Sequence, residues 1–364
     1  MHLRTVAFSV LLSVLPAVAI AGLPAPHYHL EQITIPDANG IYVADVNEAG
    51  QAVGYYIDAN FGNQAFLFDG KQVITLPRPA DRDEASATAI NDLGQIVGYA
   101  TTITDDGAQT SAMLWNAAAP EDYLVIGNDQ ANKLNPADIN NAGVVVGLAS
   151  QDGAFRAFTW SQAGGLVDDG VPPNGPDSQA YWSAINDAGT IVGGWNAIGA
   201  LAHATTGQLG TPGIVPIAAG VDAVASMAHG IAEDGTAVGE MDIDGSGQSV
   251  PVTFRGGTAA AIPGALLGLA SGAAFGVNAG GTIVGRAQDF ATLSFKAFIS
   301  TGGTAYDLLQ QCDTDAGFPY LLRAAAINDH GVIVGLGRVG DFEVGSFIAT
   351  PIADDAIFAD GFDG

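Results

Sequence analysis

The sequence is short of cysteine, of positive charge and of long apolar runs, and each shortage excludes something. A single cysteine, Cys312, allows no internal disulfide, so the fold rests on burial and hydrogen bonding. Eleven Lys and Arg stand against 38 Asp and Glu, a formal net charge of −27. A surface with so few cations does not attract a phosphate backbone, which excludes nucleic acid as a partner. Charged residues total only 13% while 48% are hydrophobic, a balance that suits a packed core and not a disordered acidic chain. Long segments of 3.6-residue apolar periodicity are missing, and with them a helical repeat. The HExxH and GxSxG signatures of metal- and serine-dependent hydrolysis are missing too. Cys312 has no basic neighbour in sequence to activate it and reads as an inert thiol.

The one long apolar run, Val6 to Leu15, is broken only by Ser9 and Ser13, follows Arg4 and leads through Pro16 to Ala19-Ile20-Ala21. It is too short to span a bilayer and ends in small residues, the pattern of a signal peptide over residues 1–21 cut after Ala21. No comparable run recurs, so no membrane insertion is expected after cleavage. The mature chain is expected outside the cytoplasm: secreted, periplasmic or at the cell surface.

What the chain has in abundance is glycine, 49 residues, and it is placed with a period. VNEAGQAVG from Val46, INDLGQIVG from Ile90, INNAGVVVG from Ile139, INDAGTIVG from Ile185, IAEDGTAVG from Ile231, VNAGGTIVG from Val277 and INDHGVIVG from Ile327 are seven copies of one motif. Their first glycines, Gly50, Gly94, Gly143, Gly189, Gly235, Gly281 and Gly331, are 44, 49, 46, 46, 46 and 50 residues apart. Asn-x-x-Gly between β-branched runs predicts a tight hairpin, with Asn bonding its own backbone and Gly in the left-handed conformation. Consecutive apolar residues such as Ile96-Val97 predict a second strand buried on both faces. The second glycine, as at Gly54 and Gly98, predicts a bulge or a close backbone approach.

A third strand rich in aromatics follows each hairpin, from Ala65-Phe66-Leu67-Phe68 to Ser346-Phe347-Ile348-Ala349, with an apolar-poor version, Ala202-His203-Ala204-Thr205, in unit four. A fourth closes most units. Four short strands in about 46 residues match a propeller blade. Unit seven lacks a fourth strand and residues 29–35 lack a local partner, so the two are expected to pair. The expectation is an all-β, seven-bladed β-propeller of four-stranded blades over residues 22–352, closed by an N-terminal strand on the last blade, with an acidic tail at 353–364.

The repeats resemble those of the extracellular HAF-repeat family, whose units run A-x-x-IN-x-x-G-x-IVG into an Ala-Phe-aromatic strand. Ala87-Thr88-Ala89-Ile90-Asn91-Asp92-Leu93-Gly94-Gln95-Ile96-Val97-Gly98 matches throughout. The resemblance spans about Leu30 to Ile352 and implies secretion and a propeller-like fold; it brings no catalytic residue. Ala232 and Ala279 depart from the pattern, in units five and six.

Several residues are candidates for chemistry, each beside a plainer reading. Asp45 and Asp138 precede the Asn of units one and three by two residues, where other units hold Ala or Gly; they are candidates to bind a ligand, water or ion at the axis. Tyr181, Trp182 and Trp195 flank the hairpin of unit four and offer rings to a sugar or a protein, or pack between blades. Loops between second and third strands carry Asp58, Asp105, Asp106, Asp152, Asp242, Asp244, Asp289 and Asp341, a possible cation-gathering ring or ordinary solvated surface. Asp242-Ile243-Asp244-Gly245-Ser246-Gly247 begins like a calcium loop, but Thr253 stands where the bidentate Glu belongs. Asp242, Asp244 and Asp289 are thus the metal candidates, with Ca2+ the ion, and an ordinary Asp/Gly turn is the alternative.

The sequence supports a secreted, non-catalytic binding or interaction protein that recognises a protein, glycan or surface ligand through one face, as a monomer without a required cofactor. The alternative is an extracellular hydrolase or lyase using carboxylates at the channel. Mass spectrometry of the exported protein is expected to find Gly22 at the N-terminus; an intact residue 1–21 segment would overturn the cleavage reading.

Overall fold

A computed structural model describes residues 25–104, 107–127, 133–151, 154–170, 178–197, 201–216, 224–340 and 343–352. The expected signal segment and acidic tail lie outside these residues, as do Asp105, Asp106, Asp152 and Asp341.

The repeat motif builds the hairpin it predicts. In unit one the Asn47 side-chain oxygen accepts from the Gln51 amide at 3.0 Å, and the Asn47 carbonyl accepts from Gly50 at 3.0 Å. Gly50 takes φ 75°, and the six equivalent glycines lie between 72° and 81°. That left-handed turn returns the chain antiparallel to itself. Ile96 and Val97 are both fully buried, so the strand after the turn does bury both faces.

The second glycine is a close approach, and the bulge sits on the strand opposite. A Cβ at Gly54 would collide with the Tyr42 carbonyl, and one at Gly98 with that of Ser86. The facing strand skips one residue at the same level in all seven units: Ala44, Thr88, Ala137, Ser183, His229, Phe275 and Ala325 stand outside the pairing register. Packing the bulged backbone over the partner strand leaves no room for a side chain there.

The described residues form seven four-stranded antiparallel sheets, each winding outward from the ring axis. The innermost strands are Gly40–Val46, Glu84–Ile90, Lys133–Ile139, Ser178–Ile185, Ala225–Ile231, Ser271–Val277 and Leu321–Ile327. In unit four the third strand is His203–Gln208, one residue later than the sequence suggests. The ring closes as expected: Tyr28–Ile33 pairs antiparallel with Glu343–Pro351, from Tyr28 opposite Pro351 to Ile33 opposite Ser346. Closure covers two edges that an open stack would expose.

Apolar packing lies between blades. One cluster joins Ile41, Val43 and Phe66 of the first blade to Val334 and Ile348 of the last, and six similar clusters occupy the other interfaces. The third-strand aromatics Phe66, Phe158, Phe298 and Phe347 face these interfaces and are fully buried.

The hairpin Asn has a second role that spacing alone does not reveal. Its side-chain amide donates to the backbone carbonyl of the same position one blade on: Asn47 to Asn91, Asn91 to Asn140, Asn140 to Asn186, Asn186 to Ala232, Asn278 to Asn328, and Asn328 back to Asn47, at 2.9–3.2 Å. These buried bonds circle the axis, and Ala232 breaks the circle once. Asn328→Ala removes the stitch across the closing interface together with the bond from the Val332 amide. It is expected to cost about 2–3 kcal/mol. Ala232→Asn supplies the missing link and is expected to raise the melting temperature by about 2 °C. Thermal unfolding of the two variants checks both signs, and a neutral Asn328→Ala would show that the stitches are incidental.

Candidate functional site

The bulge turns one residue of every innermost strand toward the axis, where it lines a channel cavity of about 200 Å³. Five are small, Ala44, Thr88, Ala137, Ser183 and Ala325; His229 and Phe275 are large, with ring centres 5.2 Å apart. Toward the hairpin turns the next level carries Asp45 and Asp138 among Ala89, Ala184, Gly230, Gly276 and Ala326. The structure therefore brings the two predicted carboxylates into one cavity. Each reaches the neighbouring blade: Asp45 accepts from the Ile90 amide at 2.9 Å, and Asp138 from Ile185 and Ile139 at 2.8 Å. Burial pushes Asp45 up to about 7, with the Asp138 charge adding to the rise. Burial also pushes Asp138 up to about 6, against the pull of its two backbone bonds.

The hairpin-side mouth, a cavity of about 240 Å³, is rimmed by the residue after each hairpin Asn: Glu48, Asp92, Asn141, Asp187, Glu233, Ala279 and Asp329. Converging acids thus sit on the hairpin face, whereas the sequence placed the acidic ring in the loops opposite. The side chains are already engaged. Asp92 accepts from the Glu48 amide, Asn141 from Asp92, Asp187 from Asn141, Glu233 from Asp187, Asp329 from Ala279 and Glu48 from Asp329, at 2.7–2.9 Å. Ala279 interrupts this second circle. His330 Nδ1 lies 2.8 Å from Glu48.

The loop acids turn inward on their own backbones. Asp242 is buried and accepts from the amides of Asp244, Gly245 and Gly247 at 2.8–3.2 Å. Asp244 is exposed and accepts from Ser246 at 3.0 Å; Asp289 accepts from Ala291 at 2.8 Å; Asp58 accepts from Asn60 and Gly62. Bonds from Ser246 hold Asp244 below the usual carboxylate range, and bonds from Thr292 and Ala291 do the same for Asp289. The Gly62 amide likewise lowers Asp58. Among the described residues no group of three His, Cys, Asp or Glu is placed to hold a metal. The calcium-loop motif is occupied in shaping its own turn. Cys312 is pushed up to about 12 by burial.

The unit-four aromatics separate. Trp182 is 3% exposed and donates to Asp169 at 2.8 Å, inside the interface between blades three and four. Little of its surface reaches solvent. Trp195 packs against the same cluster and tilts over His203 at 5.5 Å. Beside them opens a cleft of about 490 Å³, lined by Trp160, Trp182, Asp168, Asp169, Gly207 and Leu209 among others. It opens where Gly207 stands opposite Ile191, a level at which blade one has Phe68 and blade two Trp115.

Tyr181 belongs to the far mouth of the channel. There, five residues before each hairpin position, the innermost strands carry Tyr42, Ser86, Asn135, Tyr181, Met227, Ala273 and Arg323. Their partners on the second strands are Tyr55, Tyr99, Leu148, Gly194, Glu240, Arg286 and Leu336. Tyr42 and Tyr55 stack at 4.9 Å with planes 10° apart. Tyr181 lies over Gly194, where an added Cβ would strike its phenol. Arg286 and Arg323 both approach the ring of Phe275, at 5.5 and 4.9 Å. Burial and the Arg286 charge hold Arg323 below the usual guanidinium value. Sequence reasoning named Tyr181 of this group and missed Arg286 and Arg323, whose only signal was that two of eleven cations fall at unconstrained positions of the repeat.

No protein-family model matches the chain, and no curated protein matches it in sequence. Solved structures do. The β-propeller domain of the Trilobed protease from Pyrococcus furiosus, described as an open velcro topology, superposes with a TM-score of 0.55 at 10% identity, over 86% of this chain and 98% of that one. A prolyl endopeptidase gives 0.57 at 10% identity over 87% of this chain, and the acylaminoacyl peptidase of Pyrococcus horikoshii gives 0.55 at 9% over 90%. The chain spans about half the length of these two peptidases, 51% and 55%. At such identities the likeness is one of fold: this chain is a β-propeller.

Because Asp45 and Asp138 are raised in the folded state above their unfolded values, the fold binds more protons than the unfolded chain between roughly pH 4 and 7. Their contribution therefore becomes less favourable as pH rises through that window and is unfavourable above it. Asp45→Asn keeps an acceptor for the Ile90 amide and removes the charge. Its melting temperature minus that of the native chain is expected to be positive at pH 8 and to shrink toward zero near pH 4. A difference independent of pH would contradict the burial of the charge.

Proposed function

We propose that the protein is a secreted, non-catalytic binding propeller that recognises its ligand, a protein, glycan or surface component, through one face of the ring. One observation carries this reading: the two mouths of the channel differ in how far their polar groups are already used. On the hairpin side the acids bond the backbone of neighbouring blades around the rim. On the far side Tyr181 Oη, Arg286 Nε and Arg323 Nε are buried and have no hydrogen-bond partner among the described residues. Buried polar groups left unsatisfied in a folded chain are places where another molecule supplies the partner. Aromatic rings with polar tips, together with guanidinium groups, are the side chains that dominate binding energy at recognition surfaces. The secreted location rests on the N-terminal sequence pattern.

A second reading has an observation of its own. Asp45 and Asp138 share a cavity, and burial raises both toward neutrality, as acid–base catalysis requires. This supports an extracellular hydrolase or lyase. The cavity is small for a polymer substrate, and the backbone bonds to both carboxylates give each a structural task.

Glycan-array and pull-down screening of the mature chain separates the readings. A saturable ligand lost in Tyr181→Ala, at the far mouth, and retained in Ala188→Arg, on the exposed hairpin turn, is the expected result. Turnover of a glycan or peptide that disappears in Asp45→Asn would favour the enzyme, and the absence of any saturable ligand would overturn the binding reading.

A further inference from the structure

The far mouth gathers positive charge in a protein that has almost none to spare. Arg82, Arg156 and Arg255 each hold a carboxylate oxygen at 2.8–3.0 Å. Arg286 and Arg323 enter no ion pair among the described residues, although 38 acidic side chains are distributed through the sequence. They come from the second strand of blade six and the first of blade seven, and both guanidinium groups rest on Phe275. Cation–π attraction holds each in place, while two like charges over one ring repel each other. Glu240, the acid at the equivalent position of blade five, lies 3.7 Å from His229 Nε2. Two guanidinium groups without a carboxylate partner among the described residues thus converge on one ring.

The geometry points to a single carboxylate, carried by a sugar, as their partner: Arg286 and Arg323 bind the carboxylate of a uronate residue whose ring lies against the tyrosines of the same mouth. This rests on the binding-propeller reading and names its ligand class. Planar guanidinium groups match a carboxylate through paired N–H donors. Tyr55 lies near Arg323, and it stacks on Tyr42. Phenol rings offer an apolar face for sugar C–H groups and a hydroxyl for sugar hydroxyls. A peptide with a free carboxylate would satisfy the arginines but leave the phenol faces without the C–H groups that a sugar presents to them. A long polyanion is disfavoured by the net charge of −27, which leaves an isolated uronate as the anion the mouth fits.

The test uses the full mature chain and saturation-transfer NMR with calorimetry at low salt. D-galacturonate is the probe; galactose, acetate, inorganic phosphate and a short peptide with a free C-terminal carboxylate are comparators. Galacturonate is expected to bind, galactose at least tenfold more weakly, and added salt to weaken the binding. Arg286→Gln and Arg323→Gln are each expected to weaken it at least tenfold, and Arg255→Gln, the same charge change on an outer strand, to leave it within twofold. Melting curves confirm folding, and Arg323→Lys, which keeps the charge without the fork, serves if the Gln variant does not fold and is expected to show the same loss. Equal binding of galactose, indifference to both arginines, or tighter binding of phosphate or peptide would overturn the proposal. If screening finds a ligand that Tyr181→Ala abolishes while galacturonate fails, the uronate inference falls and the binding reading stands; if nothing binds, both fall.

Discussion

The ring depends on one side-chain amide, repeated. Each hairpin Asn spends its oxygen on its own turn and its nitrogen on the next blade, so the group that shapes a repeat also joins it to its neighbour. Propeller blades touch mainly through apolar side chains, which tolerate sliding; a buried hydrogen bond of fixed length does not. The bond sets the height of each blade relative to the next, and the circle of acids one residue on repeats the constraint at the rim.

The same constraint divides the molecule into two chemically unlike ends. At the hairpin end almost every polar side chain is committed to the scaffold. Five residues back, the repeat asks only for a residue that fits beside its second-strand partner, and the sequence varies freely from Tyr to Ser, Met and Arg. Variation is therefore free to create recognition at that end without loosening the ring. The bulge adds a third level, turning Phe275 and His229 into a channel otherwise lined by small side chains. An aromatic platform for the two arginines follows from a backbone irregularity present in every blade.

Most of the architecture was legible in the sequence because it repeats. Glycine spacing gave seven units, the unpaired segment near residue 30 gave the closure, and consecutive β-branched residues gave the doubly buried second strand. Of the two readings offered for the second glycine, a bulge or a close approach, the close approach holds, with the bulge on the facing strand, since a glycine signals crowding without saying which side of the pair yields. Asp45 and Asp138 were legible as exceptions to a small-residue rule. Arg286, Arg323 and Phe275 were not, because their meeting depends on neighbouring blades brought together by ring closure, and no spacing within one repeat encodes that. The acidic rim escaped for a related reason: Glu48 and Asp92 look like ordinary turn residues until the blades are seen side by side. Ala232 and Ala279, marked only as departures, proved to be the two positions where a circle of bonds is broken.

The pairing of Tyr28–Ile33 with Glu343–Pro351 joins the two ends of the described chain. During synthesis, the first of these two strands to emerge has no partner until the second one follows. Leu30 and Ile33, buried in the finished ring, must stay in water through that interval. Final locking is thus a single late event, and its rate is set by how soon the tail of the polypeptide catches up with its head.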